Sequence, residues 1–65
     1  MYEEFTRNDF RTFTEWLSFI KAIGNAIPEE SYLQWYASTH TLVIDIPNCD
    51  YKAMNKADKI IGEFF

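Results

Sequence analysis

The sequence is short, acidic and rich in aromatic residues: it has 65 residues, a formal net charge of −4, and 18% Phe, Trp and Tyr. A chain of this length forms one domain, residues 1–65, whose core barely offsets the entropy cost of folding unless dense aromatic packing or a second subunit helps. Its one cysteine, Cys49, and its one histidine, His40, exclude an internal disulfide and the common zinc sites.

Apolar residues are dispersed along the chain, and no run of them approaches the ~18 residues of a membrane-spanning helix. The first residues, Met-Tyr-Glu-Glu, lack the basic region that precedes the apolar part of a signal peptide. We therefore expect a cytoplasmic protein that makes no contact with a membrane.

The first predicted element is an amphipathic helix. Thr6 and Asp9 have the spacing of a capping box, although Asn8 is an alternative cap. From Phe10 onward, apolar residues recur at the 3.6-residue period of a helix. A following glycine and proline predict that this helix ends close to Ile23. The first four residues are expected to be loose.

The centre of the chain, residues 33–46, alternates as two strands joined by a polar turn. Pairing Trp35 with Ile44 matches the apolar faces of both strands, so these two side chains are predicted to be buried together. The turn is placed at residues 38–41, with loops of two and four residues both possible. A short helix over residues 32–37 is the competing interpretation, because Pro28 and the acids after it also resemble a helix start.

A second amphipathic helix is predicted at the end of the chain. Either Asn48 or Asp50 can cap it, and its apolar face runs from Ala53 to Phe65. The predicted fold class is therefore α+β in the order helix, strand, strand, helix (αββα). Both helices are expected on one face of a two-stranded antiparallel sheet.

No residue pattern indicates catalysis, a cofactor or a metal. Cys49 lies beside the predicted start of the last helix, but no second cysteine is present to resolve a reactive thiol. Asp9 and Glu15 are too far apart on the helix to form an acid and base pair. The chain also lacks the glycines that phosphate-binding loops require. We expect a protein that is not an enzyme and binds no cofactor or metal.

Two surfaces are candidates for binding. The first is the outward face of the hairpin, where tyrosines stand among polar residues, as is typical of protein-binding surfaces. Together with two neighbouring acids, its predicted residues are Glu29, Glu30, Tyr32, Gln34, Tyr36, Val43 and Asp45. The second is a stripe of lysines on the last helix, spaced to follow phosphates or to form an ordinary solvated face: Lys52, Lys56 and Lys59.

These features suggest a small acidic protein-interaction module that inhibits a larger nucleic-acid-handling protein by occupying its basic surface. Its size and composition are similar to those of inhibitors encoded by phages and other mobile elements, which makes it a candidate viral protein. A homodimer is predicted, formed by the hairpin or by the edge of the first helix at Trp16 and Phe19. The alternatives are a transcriptional regulator that binds nucleic acid through the lysine stripe, which the net charge disfavours, and a structural subunit of a larger assembly.

Overall fold

A computed structural model, which describes all residues 1–65, has two α-helices and three strands together with two short 3-10 helices. In chain order the main elements are β1 (Tyr2–Thr6), α1 (Phe13–Ala26), β2 (Leu33–Tyr36), β3 (Thr41–Asp45) and α2 (Tyr51–Phe64). The 3-10 helices are Arg7–Asp9 and Glu30–Tyr32. The predicted α+β class is confirmed. The predicted αββα order is wrong, because a further strand precedes the first helix.

β1 includes Tyr2, Glu3 and Glu4, which the sequence predicts to be loose. The sheet is antiparallel in the order β1-β3-β2, so β3 has a partner on both sides. Phe5 of β1 lies opposite Leu42 of β3, and its side chain is buried. Beyond the strand, the Ile46 amide donates a hydrogen bond to the Met1 carbonyl oxygen over 2.8 Å. The segment is therefore ordered by its pairing with β3 and by the burial of Phe5.

The first helix begins later than predicted. Thr6 and Asp9 do form a capping interaction, in which the Thr6 amide donates to Asp9 Oδ2 over 2.8 Å, but it closes only one 3-10 turn. The α-helix is capped instead by Thr12, whose Oγ1 accepts from the Glu15 amide over 3.1 Å. Thr12 and Glu15 have the capping-box spacing as well, so the sequence contained two such signals. The helix continues through Gly24 and ends at Ala26 rather than close to Ile23.

The hairpin forms in the expected place with a different register. Trp35 lies opposite Leu42, and Leu33 lies opposite Ile44, a shift of two residues from the predicted pairing. A shift of two leaves each side chain on its predicted face, since faces alternate with period two. The loop is residues 37–40, and His40 closes it in the left-handed region at φ 50°.

The core lies between the helices and one face of the sheet. Its buried members are Phe5, Trp16, Phe19, Ile23, Ile27, Leu42, Ile44, Ile46, Ala53 and Ala57. Phe19 is central, since its ring centroid lies 4.9 Å from that of Phe5 and 5.3 Å from that of Phe64. Trp16 and Phe19 are both fully buried. The edge of α1 at these two residues therefore offers no surface for the predicted dimer.

Trp35 is the main departure from the predicted core. Its side chain is 48% exposed although its ring contacts that of buried Trp16 at a centroid distance of 5.9 Å. The prediction that Trp35 and Ile44 are buried together is wrong for Trp35. Ile44 belongs to the central strand, whereas β2 lies at the edge of the sheet, where only one side of the indole meets the core.

α2 begins at the second of the two predicted caps. Asp50 Oδ1 accepts a hydrogen bond from the Ala53 amide over 3.1 Å, and Ala53 and Ala57 are buried against the core. The Tyr32 hydroxyl donates to the other carboxylate oxygen, Asp50 Oδ2, over 2.9 Å. Asp50 therefore joins the start of α2 to the connection between α1 and β2.

Candidate interaction surface

The face of the sheet opposite the helices carries both aromatic and acidic side chains. Strand alternation and the observed registers place these residues together: Tyr2, Glu4 and Thr6 of β1, Thr41, Val43 and Asp45 of β3, and Gln34 and Tyr36 of β2. We call these eight residues the outward face. No helix packs on it, because the core residues of both helices meet the other face.

Val43 lies at the centre of the outward face and is only 3% exposed. Val43 is not a member of the hydrophobic core cluster. The neighbouring side chains of the outward face therefore shield it from solvent. Glu4 and Gln34 flank it on the neighbouring strands. Tyr2 and Tyr36 stand diagonally across it, and they remain 61% and 49% exposed. The face therefore presents two accessible tyrosine rings around a small apolar centre.

Hydrogen bonds hold the two tyrosines in place. The Tyr36 hydroxyl donates to Gln34 Oε1 over 2.9 Å, and the Tyr2 hydroxyl donates to Glu4 Oε2 over 3.3 Å. Partial desolvation and the neighbouring Glu4 carboxylate raise the pKa of Tyr2, with smaller contributions from Tyr36 and Asp45. The outward face contains acidic side chains and no basic one, so its potential favours a cationic partner.

The structure brings together four of the seven residues predicted for this surface: Gln34, Tyr36, Val43 and Asp45. Tyr32 lies elsewhere, in the second 3-10 helix, where its hydroxyl is bound by Asp50. That hydrogen bond, followed by desolvation, raises the pKa of Tyr32. Glu29 and Glu30 are exposed on the same connection, and Glu29 acts on the Tyr32 hydroxyl rather than on the outward face. Tyr32 is therefore not part of the outward face.

Sequence reasoning missed Tyr2 and Glu4. The prediction that the first four residues are loose removed both from consideration. The signal present was weak: Tyr2, Glu4 and Thr6 alternate with buried Phe5 over a run of five residues. Only the pairing with β3, some forty residues away in the chain, gives that alternation a fixed orientation.

The three lysines of the alternative surface are exposed along α2. Glu63 lies four residues after Lys59, on the same side of the helix, and is exposed as well. Near the start of the helix, the pKa of Asp50 is lowered, chiefly by the hydrogen bond from the Ala53 amide and then by that from Tyr32, with smaller contributions from Lys56 and Lys52. The lysine stripe is thus accessible, and an acidic side chain lies near each of its ends.

Other residues considered for chemistry lie apart from one another. Cys49 is a free, exposed thiol, and His40 is at the hairpin loop, where its ring meets Trp35 edge-on at 6.4 Å. No three His, Cys, Asp or Glu residues lie close enough to hold a metal ion. Neither helix has the length and hydropathy needed to cross a bilayer.

Comparison of the chain with models of protein families, with curated proteins and with solved structures gave no match in any of the three.

Proposed function

We propose that this protein is a small protein-interaction module that binds a basic surface of a larger nucleic-acid-handling protein through its outward face, and so inhibits that protein. The observation that carries the proposal is the asymmetry of the sheet. Both helices cover one face, whereas the other has two exposed tyrosines, two carboxylates at Glu4 and Asp45, and no cation.

The physical basis is complementarity with a surface that normally holds phosphates. Aromatic side chains are enriched at binding hot spots, because they bury a large area for little loss of conformational entropy. Tyr2 and Tyr36 are already oriented by hydrogen bonds, which reduces that loss further. Carboxylates beside them favour lysine and arginine, and they speed association with a basic partner at low salt.

The test uses affinity capture from the native host with the protein as bait, followed by binding measurements on each captured protein. Replacing Tyr36 by Ala should weaken binding to the true partner by about 2 kcal/mol or more, as at a hot spot. That variant should stay folded, with a free energy of unfolding lower by about 1 kcal/mol or less, because the side chain is half exposed. A partner whose affinity does not change would contradict the proposed face.

A matched pair of charge reversals separates the outward face from net charge. Glu4→Lys with Asp45→Lys changes the outward face, and Glu29→Lys with Glu30→Lys makes the same charge change on an exposed connection. The Glu4 and Asp45 reversals should weaken binding to the partner more than the Glu29 and Glu30 reversals. In a separate measurement, the unmodified protein should displace nucleic acid from its partner. Equal losses would indicate that long-range charge alone drives association.

The alternative function, a transcriptional regulator that binds nucleic acid directly, depends on the exposed lysine stripe of α2. The Lys52→Gln, Lys56→Gln, Lys59→Gln triple variant should leave protein binding intact under our proposal. A gel-shift assay with duplex DNA and with RNA at low salt distinguishes the two functions. Submicromolar binding that the triple variant loses, and that falls steeply with salt, would favour the regulator.

A further inference from the structure

The two edges of the sheet differ in how they are protected. β1 carries Glu3 and Glu4, and charged side chains on an edge strand prevent it from pairing with another chain. β2 has the sequence Leu-Gln-Trp-Tyr and contains no charged residue and no proline. It pairs with β3 on one side only. The open edge of β2 is therefore the one that is free to accept a further strand.

Exposed apolar side chains surround this open edge. Trp35 and Tyr36 of β2 are each about half exposed, on opposite faces of the sheet. Phe13 and Leu17 of α1 are equally exposed. A ring contact places this part of α1 beside β2: the Trp16 ring centroid lies 5.9 Å from that of Trp35. Phe13 and Leu17 lie three residues before Trp16 and one residue after it on the same helix.

We propose that a second copy of this chain covers the open edge, with β2 pairing antiparallel to its counterpart about a twofold axis to form a six-stranded sheet. Directly opposed residues of antiparallel strands have their side chains on the same face of the sheet. When the two strands are identical, this condition is met only if the twofold axis passes beside one residue, which then lies opposite its own counterpart. If the axis passes beside Trp35, the two Trp35 side chains lie next to each other. Gln34 of one copy then lies opposite Tyr36 of the second copy. No charged side chains meet across this seam.

The same operation on β1 is unfavourable. A twofold pairing of β1 about Glu4, its middle residue, would place the Glu4 carboxylates of the two copies directly opposite each other. Like charges in that position destabilise a strand pair. Charge thus selects β2 as the edge that accepts a second copy of an acidic chain. It also disfavours contact between two outward faces, because each carries acids and no base.

The exposed apolar side chains supply part of the area that a second copy would cover. A stable complex covers ~800 Å² on each partner. The exposed halves of Phe13 and Trp35 amount to roughly 150–250 Å², given the usual size of aromatic side chains. Leu17 and the strand backbone add to this area, and Tyr36 stays on the outward face. The twofold axis would bring α1 of each copy toward the other. Only 11 of 65 residues are buried in the single chain, so pairing would enlarge a small core.

Sedimentation equilibrium of the unmodified protein tests this assembly directly. From micromolar to millimolar concentrations we expect a species of twice the chain mass of 7.7 kDa. A species of 7.7 kDa throughout would overturn the proposal. This result does not depend on binding by the outward face, so failure here leaves the proposed function standing.

Disulfide cross-linking tests the register. Gln34→Cys and Tyr36→Cys are made as separate chains, each with Cys49→Ser, and both changed positions are exposed. In the proposed register, Cys at 34 opposes Cys at 36 of the other copy, within reach of a disulfide, whereas like positions lie beyond about 7 Å. Oxidation of the mixture should yield dimers with one chain of each kind, identified by intact mass. Dimers of like chains, or none above a reduced control, would overturn the register.

Discussion

The two faces of the sheet are built from the same strands, yet they are covered in different ways. On one face, Ile44 lies beneath α1 and α2 and is fully buried. On the other, Val43 is nearly as buried, but under tyrosines and the side chains of adjacent strands. The difference shows that low exposure alone does not identify the core of so small a protein. Cover by helices leaves no accessible surface, whereas cover by tyrosines leaves one that a partner can reach.

The largest expected effect is on the helix-covered side. Phe19→Ala removes a fully buried ring that touches Phe5, Phe10 and Phe64, so it should cost about 3–5 kcal/mol and unfold most of the protein. Phe13→Ala, on the same helix at a half-exposed position, should leave the chain folded. Urea unfolding followed by circular dichroism measures both. Similar costs would show that α1 is not buried as described.

Neighbouring residues of β3 compare the two faces directly. Ile44→Ala should cost about 2–5 kcal/mol, because the cavity forms beneath two helices that cannot readily close it. Val43→Ala should cost less, about 1–2 kcal/mol, since fewer atoms are removed and the covering side chains can adjust. A larger loss at Val43 in the same urea titration would mean that the outward face is a second core.

Substitutions of Tyr36, which shields Val43, should change the free energy of unfolding by less. Tyr36→Ala exposes part of Val43 and should lower the free energy of unfolding by about 1 kcal/mol or less. Tyr36→Phe keeps the ring and removes only the hydrogen bond to Gln34, so it should be nearer to the unmodified protein. If both variants lose stability equally, the hydroxyl rather than the ring is what matters at this position.

The smallest effect depends on pH. The pKa of Asp50 is lowered below its usual 3.8 by the Ala53 amide and by Tyr32. The ionised carboxylate therefore stabilises the fold above pH 3.8, and this contribution is lost as the pH falls through the lower, folded-state value. Asp50→Asn keeps a capping side chain but removes the charge.

The stability difference between the unmodified protein and Asp50→Asn should be present near neutral pH and should shrink as the pH falls below 3.8. Urea midpoints at several pH values measure it. The pKa of Tyr32 is raised, so its effect on stability has the opposite pH dependence. The hydrogen bond that its neutral hydroxyl donates to Asp50 stabilises the fold below the ordinary pKa of 10.0, and this stabilisation is lost as the pH rises through the higher folded-state value. A difference that does not vary with pH in the acid range would show that Asp50 has no such role.

Local sequence signals predicted element types better than element boundaries. The hairpin strands, the α2 cap at Asp50 and the faces of β2 and β3 follow from alternation and capping chemistry. The start of α1 was wrong because two capping boxes compete, and Thr12 rather than Thr6 leads into the helix. For the candidate surface, alternation identified Gln34, Tyr36, Val43 and Asp45. It misplaced Tyr32, whose position depends on a hydrogen bond to Asp50.

The sequence by itself determined the α+β class and the face to which each residue of the hairpin belongs, because the period of hydrophobicity is a local property. It also determined the acidic balance of the chain. Only the tertiary structure decided that Tyr2–Thr6 forms a third strand, that Trp35 lies at an edge and that Tyr2 and Glu4 join the outward face. Each of these depends on which distant segment lies beside β3, and pairing between distant segments leaves little trace in either segment alone.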